Sequence, residues 1–130
     1  MCNRIRTLLF GEQEECRAIS ETLEAWAQAS GRTHESFHLD DLEELEKSLT
    51  TWQPSLLVVL ADGAEGMECV VRSTERQPLL PVFWFSDDRN FCIQSYRLNC
   101  AYFSSKPATP EKVGHAFQRC DHLGITYGVM

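Results

Sequence analysis

Apolar runs alternate with amphipathic stretches five times along the chain, and this rhythm restricts the fold more than any other feature of the sequence. Ile5 to Phe10 is a short, mostly apolar run interrupted by Arg6 and Thr7. Behind it Cys16, Ile19, Leu23, Trp26 and Ser30 recur on one helical face, and Gly31 supplies a stop. Thr33 to Leu39 reads as a weaker strand in which Phe37 and Leu39 alternate with polar residues. Asp40 with Glu43 resembles a capping box, ahead of Leu42, Leu45, Leu49 and Trp52 at helical spacing. Ser55 to Leu60, after Pro54, is the most apolar strand and reads as a central one covered on both faces. The loop Ala61 to Ala64 leads to a helix carrying Met67, Val70 and Val71. Pro81 to Phe85 is a second wholly apolar strand, and Ser86-Asp87-Asp88 opens a helix through Tyr96. Ala101 to Ser104 makes a short fifth strand. Thr109 is a natural N-cap with Pro110 at the first helical position, and Val113, Ala116, Phe117 and Cys120 form the buried stripe of a last helix that Gly124 stops.

Strands and helices in such alternation imply parallel strands joined by crossover helices, an α/β doubly wound sheet covered on both faces. One domain over residues 1–123 is expected, followed by a tail, 124–130, with no assigned element. The chain of 130 residues suits one core of ordinary size. Its 12 Lys plus Arg against 19 Asp plus Glu, net −7, argue against a nucleic-acid binder, which draws much of its affinity from cations on phosphates. No apolar run is long enough to span a bilayer, and the stretch Thr7 to Phe10 is too short for a signal peptide, so a cytoplasmic location is expected. None of the six cysteines (Cys2, Cys16, Cys69, Cys92, Cys100, Cys120) forms a CxxC pair. His34 with His38, and His115 with Cys120 and His122, give no compact ligand set and read as structural or solvated.

Sheets of this class bind ligands at the carboxyl ends of their strands. Those ends are Gly11-Glu12, Leu60-Ala61-Asp62, Ser86-Asp87-Asp88 and Ser104-Ser105-Lys106. From Pro81 to Pro107, the order Ser86, Asp88, Tyr96, Asn99, Cys100, Phe103 and Lys106-Pro107 resembles the second half of a bacterial response-regulator receiver domain, most nearly of the LytTR type. The resemblance implies a flavodoxin-like sheet of strand order 2-1-3-4-5 and a phosphoryl-transfer site. That site comprises two acidic residues after the first strand that help hold Mg²⁺, an acceptor Asp at the end of the third, a Ser or Thr after the fourth and a Lys after the fifth. Metal and lysine neutralise the transferring charge, and the hydroxyl senses the product. The resemblance also implies a cis peptide before Pro107 and an inward-swinging aromatic at Phe103.

The sequence departs from that pattern where the chemistry would occur. Of the acidic pair expected at Gly11 and Glu12, only Glu12 is acidic, and Leu60 stands at the acceptor position, where it can neither attack phosphorus nor bind a metal. The next loop is about two residues short, taking Glu65-Gly66 as the family's acidic-Gly pair. Ser86, Phe103 and Lys106 remain as a phosphoryl-sensing remnant. Two residues along a continuing strand, about 6.6 Å, puts Asp62 too far from Ser86 and Lys106 to be served by them without rearrangement. A loop that curls back would bring Asp62 in, and Lys106 paired with Glu12 or Asp62 would mimic a permanently charged pocket.

These readings lead to a non-enzymatic, degenerate receiver that signals through protein contacts, with no cofactor and no membrane. A homodimer is expected through the face of the fourth helix, fifth strand and fifth helix, with Arg89, Asn90, Arg97 and Lys112 on it. One alternative is an active phosphoacceptor at Asp62 with Glu12 on a divalent metal, Mg²⁺. Another is a flavodoxin-type small-molecule binder, which the acidic first loop, Gly11 to Glu15, opposes.

Overall fold

The computed structural model describes residues 4–123, with side chains described through Cys120. Cys2, the side chain of His122 and the expected tail 124–130 lie outside the described residues. Strands β1 (Arg4–Gly11), β2 (Thr33–Leu39), β3 (Leu56–Leu60), β4 (Val82–Phe85) and β5 (Tyr102–Ser104) form one sheet of order β2-β1-β3-β4-β5. Every pairing is parallel. Helices α1 (Gln13–Ala29), α2 (Leu42–Thr51), α3 (Gly63–Arg76), α4 (Cys92–Arg97) and α5 (Pro110–Leu123) make the crossovers, with a 3₁₀ turn over Arg89–Phe91 leading into α4. This is the doubly wound sheet expected from the alternation of apolar runs, in the flavodoxin-like order that the receiver resemblance implies.

Because successive strand residues point to opposite faces, each apolar run feeds two cores. Leu9, Val58, Leu60, Phe83 and Phe85 meet Ile19 and Leu23 of α1 and Phe117 of α5. On the other face Leu8, Phe10, Leu57, Val59 and Trp84 meet Leu45 and Leu49 of α2 and Val70 of α3. Trp26 lies only half-buried, stacked on Phe117 with ring centroids 3.7 Å apart, and Ala27 completes the α1 stripe instead. Ser30 is the α1 C-cap, not a core residue; its hydroxyl donates to the Trp26 carbonyl at 2.9 Å.

Two helix starts differ from expectation. The N-cap of α2 is Asp41, whose Oδ1 accepts from the Glu43 amide at 2.7 Å, so the Asp40–Glu43 box does not form. The helix expected from Ser86 to Tyr96 begins as the 3₁₀ turn, with Asp88 Oδ1 accepting from the Asn90 amide at 3.0 Å, and only six residues are α-helical. Among the described residues no helix is long and apolar enough to cross a membrane.

His34 and His38 are structural, as expected. The His34 side chain is 2% exposed, with Nδ1 3.3 Å from Glu24 Oε2 and Nε2 3.1 Å from the hydroxyl of buried Thr7. His38 Nε2 donates to the Gly11 carbonyl at 2.8 Å. Burial pushes the His34 pKa below its ordinary 6.5, against an opposing pull from Glu24. The unfolded chain therefore takes up this proton first. The contribution to stability is complete above the unfolded pKa and declines as the pH falls through it. Urea denaturation should show lower stability at about pH 5.5 than at about pH 7.5, with a smaller difference in His34→Asn.

Candidate functional site at the carboxyl edge of the sheet

At the end of β3, Leu60 is 2% exposed and packs into the core beneath α1 and α5. It pairs with Gly11 at the end of β1. Gly11 has φ +149°, and a Cβ there would run into the Leu60 carbonyl and side chain. The first position of the expected acidic pair is thus one where this backbone has no room for a side chain. Glu12 is the N-cap of α1: its Oε1 accepts from the Glu14 amide and its Oε2 from the Glu15 amide, each at 3.0 Å. The Glu14 amide bond, then that from Glu15, holds the Glu12 carboxyl below its ordinary pKa. Both oxygens of that carboxylate are committed to the helix start.

Asp62 reverses one expectation. It does reach Ser86 and Lys106. Its Oδ1 accepts from the Ser86 hydroxyl at 2.9 Å and from the Asp87 amide at 2.7 Å, and its Oδ2 lies 3.4 Å from Lys106 Nζ. The backbone stays extended through Asp62, and the side chains of Asp62, Ser86 and Lys106 together span the gap. One residue earlier the Trp84 indole N–H donates to the Ala61 carbonyl at 3.0 Å inside the core. Gly63, at φ +60°, turns the chain into α3 immediately, and Asp62 becomes the residue that precedes the helix. Gly66 lets the first turn of α3 close on this bend: a Cβ there would collide with the Ala61 carbonyl and crowd the Trp84 indole nitrogen. The Asp62 side chain makes no cap bond to its own helix and crosses to the end of β4 instead.

The rest of the site closes around that carboxylate. The Ser86 hydroxyl also accepts from the Asp88 amide at 3.1 Å, so it caps its turn as well as meeting Asp62. Lys106 Nζ lies 3.5 Å from Glu15 Oε1, and the Lys106 amide donates to Asp87 Oδ1 at 3.0 Å. The Lys106–Pro107 peptide is cis, as expected. Phe103 packs inward, edge-on to Trp84 with centroids 5.3 Å apart. Partial burial of Asp62 opposes its ionisation, but the Asp87 amide, the Ser86 hydroxyl and the Lys106 charge outweigh it and hold the carboxyl below the ordinary 3.8. Among the described residues no cluster of three His, Cys, Asp or Glu side chains is arranged to hold a metal ion.

Sequence reasoning placed Ser86, Phe103 and Lys106 together and did not foresee three of their partners. Asp87 read as a turn residue at a strand end, Glu15 as an acid of the first loop, and Trp84 as part of an apolar strand. The signal available for Trp84 was its indole donor, which must find an acceptor when fully buried.

No protein-family model matches the chain, and no curated protein is similar to it in sequence. Solved structures do resemble it. A chain assigned as a CpaE2 pilus assembly protein from Sinorhizobium meliloti superposes with a TM-score of 0.70 at 18% identity, over 89% of this chain and 99% of that one. The apo receiver domain of nitrogen regulatory protein C gives 0.65 at 20% identity, over 95% and 99%. An orphan response regulator of H. pylori gives 0.67 at 15% identity, over 92% and 97%. The fold is that of a response-regulator receiver domain. At these identities the likeness establishes the architecture, and the chemistry must be read from the site itself.

Trp84→Phe retains the ring and removes the N–H that fixes Ala61. In that variant the acid titration of the Asp87 amide resonance, which reports Asp62 ionisation, should move up toward the ordinary carboxylate value of 3.8. A loss of packing alone would lower stability and leave that midpoint in place.

Proposed function

We propose that this chain is a receiver-type signalling module, of LytTR-like ancestry, that works without being phosphorylated. The observation that carries this reading is the Asp62 carboxylate, which occupies the Ser86 hydroxyl, the Asp87 amide and the Lys106 ammonium. In the receiver pattern the serine and lysine would contact a phosphoryl group. A carboxylate supplies them with a fixed negative charge instead, and inward-packed Phe103 agrees with a switch held in one position. Leu60 offers no nucleophile at the family's acceptor position, and Glu12 directs both its oxygens to the start of α1. Neither the acceptor nor the metal-holding pair of a working receiver is assembled in the usual place.

On this reading the protein is not an enzyme, needs no cofactor, and acts in the bacterial cytoplasm through protein partners. The face made by α4, β5 and α5, with exposed Arg89, Asn90 and Arg97, is its contact surface, including contact between copies. A flavodoxin-type ligand is disfavoured by the acidic first turn of α1, where Glu14 and Glu15 would repel a phosphate.

One observation favours a second reading. The Asp62 carboxyl is held below its usual pKa, its side chain is 49% exposed, and it touches both serine and lysine, as a displaced phosphoacceptor would. In that case Mg²⁺ would have to be held largely by Asp62 and water, a weak set for a hard octahedral ion. Incubation with a small acyl-phosphate donor and Mg²⁺, read by intact mass, separates the two. The expected result is an unchanged mass, and no shift of tryptophan fluorescence with beryllium fluoride and Mg²⁺. A Mg²⁺-dependent phosphoryl adduct that disappears in Asp62→Asn would establish the second reading.

A further inference from the structure

Two recesses on the α1–α5 side join into one groove. The larger, about 520 Å³, lies where small residues of α1, Ala18 and Ala25, face Val113 of α5, with Trp26 as one wall. The smaller, about 260 Å³, shares Ala18 and runs up to Leu60 and Pro107 at the carboxyl edge of the sheet. Leu60 makes that upper end apolar where the receiver pattern has a carboxylate. Glu14, Glu15 and Glu21 line the groove, and no Lys or Arg is among its lining residues. It is an apolar trough with an acidic rim.

The opposite combination stands on α4. Ile93 is 65% exposed and Tyr96 80% exposed, two of the few large apolar side chains left in water among the described residues. Ile93 and Arg97 lie four apart on α4, with Tyr96 three beyond Ile93 and exposed Arg89 in the 3₁₀ turn just before, so a cation stands at each end of an apolar ridge. A two-fold contact of this ridge with itself would set like charges together. Laid into the α1–α5 groove of another copy, the ridge meets an apolar floor, and its arginines meet Glu21 on the rim, with Glu14 and Glu15, which also face Arg17 and Lys106, further along it.

We propose that copies of this chain associate head to tail, with α4 of one copy seated in the α1–α5 groove of the next. The inference takes from the functional reading only that α4 is a contact surface, and it holds whether or not Asp62 accepts a phosphoryl group. Because donor and receptor surfaces differ, each added copy leaves one of each free, and growth does not stop at two unless a ring closes. The rim charges guide encounter more than they hold the complex, and added salt weakens it.

Sedimentation velocity over a concentration series, at low and high salt, tests this together with two variants at exposed positions. Ile93→Glu spoils the ridge and Ala18→Arg fills the groove, and circular dichroism checks that both remain folded. The wild-type average mass should rise past that of a dimer with concentration and fall with salt. Each variant alone should stay monomeric. Their equimolar mixture should form a complex of two that goes no further, since only one intact ridge and one intact groove meet. A wild type that is monomeric throughout would overturn the proposal and leave the groove to a different protein. A dimer that ignores Ala18→Arg would overturn it in favour of symmetric pairing through α4, β5 and α5. Either result leaves the phosphodonor experiment, and the reading it tests, unaffected.

Discussion

The bond from the Trp84 indole to the Ala61 carbonyl anchors the main chain just ahead of the charge at this site. A fully buried indole N–H without an acceptor is costly, and the β3–α3 connection brings a carbonyl to it. The chain then runs on extended through Asp62 and turns at Gly63, which leaves the Asp62 side chain at the ends of β4 and β5. Asp62 then collects a hydroxyl, an amide and an ammonium contributed by two other strand ends. A contact between two apolar-core elements thereby fixes an electrostatic arrangement on the surface.

The connected groups make the arrangement mutually dependent. Asp87 gives its amide to Asp62 and takes the Lys106 amide on its own carboxylate, so the turn after β4 is tied both to the start of α3 and to the end of β5. Lys106 stands between Asp62 and Glu15 and draws α1 into the same group. Screened, partly exposed ion pairs of this kind contribute little to folding individually. Their effect here is to settle geometry: a hydroxyl, an amide and an ammonium from two other strand ends all answer to one carboxylate.

The alternation of strands and helices was legible because it follows from periodicity, and the strand order because the end of the chain resembles a receiver. The wholly apolar runs of β3 and β4 could only be central strands, and the stripes of Leu45 with Leu49 and of Val113 with Phe117 could only be helix faces against them. Leu60 was legible for the same reason, since a strand residue's position is set by counting along a regular element. Asp62 was misjudged because counting along a strand stops where the strand stops and takes no account of how far side chains reach. Around it lie a hydrogen bond between residues 23 apart, the turn at Gly63 and the close packing of Gly66, none of which leaves a periodic trace. Likewise the choice of Asp41 over Asp40 as the α2 cap rests on a shift of one residue in where the helix begins, and both residues carry the same side chain.

Gly11 bears on how such a chain can change over time. Its backbone lies so near Leu60 that a larger residue could stand there only if the end of β3 also moved. An aspartate at position 60 would meanwhile enter a hydrocarbon interior packed around leucine. A carboxylate at either position asks the main chain itself to give way, so at this corner of the sheet the backbone, more than the side chains, decides which substitutions the protein can accept.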